Sequence, residues 1–427
     1  MITKSKNIAR GVRISYIEAK KFKTNYLTFN IIAPLSKETV HFNAMIPSIL
    51  MRGSKEYPST QALNKQCQFL YSTDISIKNL TVGEYQVFGV CANTLSNRFV
   101  NDMDLNGEVV NFICEIIFNP YLVNGAFDEE FVKEKKKNLI DAIKAKINDK
   151  GSYAMNRLLE EMCKDEVLSI SRLGRIEDVE TITPTSLYDA YVYALKSYPI
   201  EIHFVGNGDF DKIAEEFAKA FSKIEREPIE LPTIPIVTEV KEVKEIVDTE
   251  NVSQGKLVLG FRTCYSPEEQ NYHVMQLFNE IYGCSPTAKL FLNVREKMSL
   301  CYYCHSRVAQ RGGIMTVSSG IEAKNKEIAQ QAIIDQLEQI QRGEISCEEL
   351  ESAKKSIKNG YRQIYDSLSS MSAWVFNRGL SGSYTTPEEE CEKIDSVTVS
   401  EIMELAKRFK LDTVYFLKGL EGEDENV

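Results

Sequence analysis

This sequence is poor in histidine and has fewer basic than acidic side chains. Four histidines, His41, His203, His273 and His305, stand among 427 residues, and neither H-x-x-E-H nor H-E-x-x-H can be built from them. Lysine and arginine number 51 against 61 acidic residues, a net charge of −10, which argues against nucleic acid or an anionic membrane as main partner. Long apolar runs are missing too. The stretch from Ile113 to Phe118 is interrupted by Glu115 and falls far short of a membrane span. The one Gly-Lys pair, Gly255-Lys256, has no glycine five residues before it, so there is no Walker loop. Gly206-Asn-Gly-Asp lacks the third glycine of a dinucleotide loop and reads as a turn. Gly379-Leu-Ser-Gly is not a G-x-S-x-G elbow.

What is present is an ordinary globular composition, 43% hydrophobic and 26% charged, in a chain long enough for two cores. Residues 1–17 are basic in the manner of a transit peptide. The alternation of Val12, Ile14 and Tyr16, and roughly of Tyr26 to Ile32, instead predicts two strands joined by a Lys-rich turn. Ten cysteines at irregular spacing, without a secretory signal, read as reduced thiols of a cytoplasmic protein. Cys301-Tyr-Tyr-Cys-His305 matches the haem-attachment pattern, and its thiol pair a redox motif. A regular strand, however, aims Cys301 and Cys304 to opposite faces and also turns Cys304 away from His305, so small buried thiols are expected. Trp374, between Met371 and Val375, reads as core.

Residues 226–250 combine three prolines with no helical period and read as a linker leading into a strand. The linker separates a domain at 1–225 from one at 251–427, and the two look alike. One shift of 230 positions carries the strand at Leu27 onto that at Leu257, and the helix end at Gly53 onto Gly283. Later in each half a short β-like segment precedes a capped helix, Val179-Glu-Thr-Ile before Thr183-Pro184 and Ile394-Asp-Ser-Val before Thr398 with Glu401. Each half closes on a strand, Glu201–Val205 and Val414–Leu417.

Long amphipathic helices are predicted over Phe127–Ile147 and Asn325–Gln341, and Ser346 with Glu349 opens another. The expected class is α+β: two similar domains related by duplication, each a mainly antiparallel sheet covered on one face by helices. The tail Glu421-Gly-Glu-Asp-Glu reads as a solvated acidic end.

The element order, with Leu50-Met-Arg-Gly-Ser54 and Val294-Arg-Glu-Lys-Met-Ser-Leu-Cys-Tyr302, resembles the insulinase family of metallopeptidases over nearly the whole chain. Gly11-Val-Arg, Phe22-Lys-Thr-Asn and Asn148-Asp-Lys-Gly-Ser-Tyr-Ala154 resemble one bacterial subgroup. In that subgroup such a chain accompanies a zinc-binding paralogue and is linked to modification of the translation factor EF-P. The family's chemistry uses H-x-x-E-H on the first helix: two histidines one turn apart hold Zn²⁺ while the glutamate activates its water. Counted back from Gly53, those positions fall on Ala44, Pro47 and Ser48, and the third-ligand position falls near Asp141 or Ala142.

Such a set cannot hold catalytic zinc, so no catalytic residue, metal or cofactor is expected in this chain. The family's arginine–tyrosine pair on the second domain does match, at Arg295 and Tyr302. Arginine can fix a peptide carbonyl and tyrosine can steady an oxyanion. The plainer alternative is a surface salt bridge and the start of a half-buried strand. The resemblance thus implies a non-catalytic subunit. Its partners would be a zinc-bearing paralogue and a peptide or unfolded polypeptide, with self-association possible in isolation. A purely structural or peptide-binding role, or an enzyme with a cysteine at a different site, are the alternatives.

Overall fold

A computed structural model describes residues 1–266, 269 and 271–419; the acidic tail lies outside them. The first half of the chain runs β1 (Lys4–Ala9), β2 (Val12–Glu18), β3 (Thr24–Pro34), α1 (Val40–Leu50), α2 (Thr60–Phe69), β4 (Asp74–Val82), β5 (Tyr85–Leu95) and α3 (Leu105–Phe118). It continues through the small ladder β6 (Leu122–Val123) and β7 (Ala126–Phe127) to α4 (Glu129–Ala145), α5 (Lys150–Met162), α6 (Ile176–Glu180), α7 (Pro184–Ser197), β8 (Ile200–Gly206) and α8 (Phe210–Phe221). After the proline-rich linker come β9 (Lys244–Glu250), β10 (Gly255–Arg262), α9 (Tyr272–Asn279), β11 (Cys301–Val308) and β12 (Ile314–Ile321). The chain ends with α10 (Lys326–Gln341), α11 (Cys347–Gln363), α12 (Leu368–Leu380), α13 (Pro387–Ser396), α14 (Val399–Ala406) and β13 (Lys410–Gly419).

The duplication is visible in strand order. One sheet runs β1-β2-β8-β3-β5-β4 and the other β9-β13-β10-β12-β11. In both, a parallel pair (β2 with β8, β9 with β13) leads into antiparallel neighbours. The fold is α+β with a mainly antiparallel sheet in each unit, and among the described residues the second copy has no counterpart of β1.

Two short readings are corrected. Val179 lies in α6 and Ile394 in α13, so neither β-like segment is a strand. Runs of three or four residues carry too little period to separate the two states, and packing of Val179 and Ile394 into the core decides for helix. The caps that follow are as read: Thr183 and Thr398 accept from the backbone N–H three residues on.

The helix layer of the first unit shows why these elements form. In α8, Asp209 caps the N-terminus, and Phe210, Ile213, Ala214, Phe217 and Phe221 recur at helical spacing and are buried. They meet the inward residues of β3, where Phe29 stacks on Phe221 at 6.1 Å and edges Phe118 at 6.1 Å. In the second unit, Phe278 of α9 packs edge-on to Phe409 at 4.6 Å.

The compact units are not the contiguous ranges 1–225 and 251–427. The first comprises Met1–Lys144, Ile170–Thr233 and Ile364–Thr385, and the second Ala145–Ser169, Ile234–Gln363 and the chain from Thr386. Thus α5, encoded in the first half, belongs to the second unit, and α12, encoded in the second half, to the first. The cause is a second sheet face that also needs cover. Ile17, Val205, Ile32 and Val87 point away from the main helix layer, and Leu368, Met371, Val375 and Phe376 of α12 cover them. Ala154 and Leu158 of α5 likewise cover Val258, Tyr415 and Leu417. Each large apolar side chain buried this way contributes about 1.5–3 kcal/mol. Gly260 permits the close approach of α5, since a Cβ there would lie 2.6 Å from the Met162 sulfur. Among the described residues, no helix is long and apolar enough to cross a membrane.

Candidate functional site

The three zinc-motif positions lie on α1, as the spacing requires, but they face the wrong chemistry. Ala44 is buried, and Pro47 lines an apolar crevice with Ile46, Leu50, Phe88 and Tyr191. Ser48 turns its hydroxyl back onto the Met45 carbonyl at 2.8 Å. Pro47 sits inside the helix without a backbone N–H to donate. Asp141 and Ala142 are both exposed on α4. Among the described residues no three His, Cys, Asp or Glu side chains converge as a metal site. These residues do not fit zinc: two of the three positions have no donor atom, and the third spends its hydroxyl on the helix. The Arg-Gly-Ser that ends α1 keeps a structural task. Arg52 pairs with Glu134 at 3.2 Å and lies 4.3 Å over the Phe131 ring, tying α1 to α4.

The histidines have other fates. His41 on α1 is buried against Gly174, and burial lowers its pKa. His305 is exposed beside Tyr303, with ring centroids 5.7 Å apart.

His203 belongs to a cluster that sequence reasoning missed. On the sheet face beneath α12, Ser15, His203 and Thr28 lie side by side on β2, β8 and β3. Arg13, Glu201 and Asn30 form the next row. His203 Nδ1 is 3.0 Å from the Ser372 hydroxyl of α12, and Nε2 is 3.9 Å from a Glu201 oxygen. Arg13 donates to Glu201 at 3.1 Å, and Lys78 donates to Asn30 at 2.8 Å. The order Ser–His–Glu imitates a hydrolase relay, yet His203 is 0% and Ser372 3% exposed, so substrate cannot reach them. Burial, then the charges of Lys78 and Arg13, push the His203 pKa down to about 3, so the ring is neutral. The cluster seats α12. Polar alternation in β3 was its one signal, and alternation alone reads equally as a solvent face.

The second-half motif sits where chain geometry is unusual. Arg295 lies in a wide, π-helical turn, Leu290–Lys297. Its guanidinium is 4.6 Å from the Phe291 ring centroid and 3.7 Å from a Glu296 oxygen, with 39% of the side chain exposed. Ser299, at φ 54°, turns the chain out of the helix into β11. β11 is an edge strand, and it is bulged: Cys301 pairs with Ile321 and Tyr303 with Gly320, leaving Tyr302 surplus. Tyr302 is accordingly 61% exposed. The plainer reading holds too: Arg295 touches a neighbouring acid, and Tyr302 stands at the start of a half-buried strand, itself exposed while Cys304 and Ser306 are buried. One sequence expectation fails here. The bulge shifts the alternation by one residue, so Cys301 and Cys304 face each other instead of pointing apart, and each thiol acts on the other.

Comparison with known proteins agrees with this anatomy. Residues 181–357 match a family model described as the peptidase M16 inactive domain. The "Probable inactive metalloprotease YmfF" of Bacillus subtilis is 32% identical, over 96% of this chain and 97% of its own. The "Uncharacterized zinc protease YmxG" of the same organism is 22% identical over 70% of this chain and 73% of its own. A crystal structure of a conserved protein from Enterococcus faecalis superposes with a TM-score of 0.90 at 29% identity, covering 99% of both chains. With the M16 fold intact and no ligand at the zinc positions of α1, the chain belongs to the M16, or insulinase, family of metallopeptidases as an inactive homologue.

Proposed function

We propose that this chain is the non-catalytic subunit of a two-chain zinc peptidase. Its partner is an M16 paralogue whose H-x-x-E-H is intact, and the complex works in the cytoplasm. This chain forms a wall of the chamber and presents Arg295, Tyr302 and the free edge of β11 to the peptide. One observation carries the reading: the zinc positions are erased in an otherwise complete family fold, while the arginine–tyrosine segment is kept with its tyrosine exposed on an edge strand.

An edge strand supplies unpaired backbone N–H and C=O groups that an extended peptide can join, and register then brings alternate side chains past Tyr302. Arg295 would hold a substrate carbonyl or carboxylate by paired hydrogen bonds, and the Tyr302 hydroxyl would donate to the oxygen that gains charge during cleavage by the partner's zinc. The test has two steps. The chain is used as bait in its native host, and the captured M16 paralogue is assayed with wild-type chain and with Arg295→Ala and Tyr302→Phe. Removing a donor to a developing oxyanion lowers kcat by about 100-fold or more. Equal activity with wild-type and both variants would favour a structural or peptide-binding role, as would a chain that only self-associates.

A further inference from the structure

The bulge that exposes Tyr302 also brings Cys301 and Cys304 to one face of β11, beside Ser319, which pairs with Cys304 across the ladder. The two thiols are unequal. Cys304 is 4% exposed, and its neighbour Cys301, then burial, push its thiol well above the ordinary value. Cys301 is partly exposed. Its thiol is pulled down, first by the Cys304 S–H and also by the Ser319 hydroxyl and the Arg295 charge, against the opposing effect of burial. An accessible sulfur held toward thiolate, next to a buried protonated one, is the asymmetry of an attacking and a resolving thiol. The exposed Cys284 and Cys347 serve as internal controls.

The geometry points to Cys301 and Cys304 as an oxidisable dithiol that takes a small hydroperoxide and ends as an intramolecular disulfide bracketing Tyr302. In the first step the Cys301 sulfur attacks one peroxide oxygen. The O–O bond breaks, the other oxygen leaves as hydroxide or alkoxide and takes up a proton, and Cys301 becomes a sulfenic acid. In the second, the Cys304 sulfur attacks that of Cys301, the S–O bond breaks, and water leaves carrying the Cys304 proton. One peroxide is reduced and two thiols are oxidised, with no other reactant. Closing the bridge brings the two sulfurs to about 2.05 Å. The span carrying Tyr302 shortens, and the bulge that turns its ring outward changes. The consequence for peptide contact rests on the subunit role proposed above; the thiol chemistry does not.

The experiment treats the full-length reduced protein with a few equivalents of hydrogen peroxide, blocks free thiols and digests with trypsin. Cleavage after Lys297 and Arg307 releases Met298–Arg307, whose only cysteines are these two. The expected result is a peptide lighter by two hydrogens, resistant to alkylation and restored by dithiothreitol, before the peptides of Cys284 or Cys347 change. Cys304→Ser should leave Cys301 as a sulfenic acid trapped by dimedone, and Cys301→Ala should leave Cys304 unmodified. A peptide that gains oxygens without losing two hydrogens, or that reacts no faster than the controls, overturns the proposal. The oxidised chain is then added to the partner's cleavage assay. A disulfide with unchanged activity refutes the link to Tyr302, and absence of the disulfide refutes the dithiol while leaving the subunit reading intact.

Discussion

Acid should loosen the first unit through His203, and the size of the effect follows from its burial. In the unfolded chain the imidazole titrates near its ordinary value of about 6.5. In the folded chain it stays neutral down to about pH 3, held between Arg13, Lys78 and the α12 helix. Between those values the unfolded state binds a proton that the folded state refuses, so stability falls as pH drops from 6.5 towards 3. From pH 7 to pH 5 the loss is about 2 kcal/mol, at about 1.4 kcal/mol per pH unit below 6.5. Any folded value below about 4 gives nearly the same figure. Glu201 shifts in the opposite sense, since burial raises its pKa and protonation then favours the fold.

The clean measurement is therefore a difference between chains. Urea unfolding of wild type and His203→Gln is followed at pH 7 and pH 5 by the fluorescence of Trp374. That residue is the sole tryptophan and lies on α12, two residues beyond Ser372. Glu201 and His41 are common to both chains and largely drop out. Wild type should lose about 2 kcal/mol more than the variant. Equal losses in the two chains, or a larger loss in the variant, would refute the placement of His203 as a buried neutral clamp.

Two further outcomes follow from single contacts. Arg262, 3% exposed, donates to Asp412 at 2.9 Å, to Glu166 at 2.6 and 3.0 Å and to the Met162 carbonyl at 2.9 Å. Arg262→Ala strands the buried Asp412 carboxylate and the part-buried one of Glu166 and should cost about 3–5 kcal/mol, read by circular dichroism during urea unfolding. Gly89 sits at φ 152° with its Cβ direction 1.9 Å from the Phe29 carbonyl oxygen. Gly89→Ala must therefore displace the central β3–β5 pairing, and the chain should be recovered insoluble, whereas an unchanged melting temperature would contradict the register.

How much of this was written in the sequence depends on distance along the chain. Local signals held: the caps at Thr183, Ser346 and Thr398 all rest on contacts within a few residues. The missing zinc ligands were equally plain, because residue type alone excludes coordination by Ala44 or Pro47. Long-range pairing was not legible. Nothing in β2 and β3 announces that β8 inserts between them, and nothing in Lys150–Met162 says that this helix covers the second sheet. The rough alternation over Tyr26 to Ile32 gives a strand but does not say that α12 buries its polar residues Thr28 and Asn30. The β11 bulge was hidden for the same reason: it is defined by pairing with β12, so strict alternation placed Cys301 and Cys304 on opposite faces.

In the role proposed above, this chain completes a peptidase that it does not run itself. The most direct measurement is peptide cleavage by the purified chain, by an H-x-x-E-H paralogue from the same cell, and by their mixture, each with and without a zinc chelator. The proposed subunit role predicts no cleavage by this chain, little by the paralogue, and chelator-sensitive cleavage at least tenfold faster by the mixture. A mixture no faster than the paralogue, or chelator-sensitive cleavage by this chain alone, would contradict it.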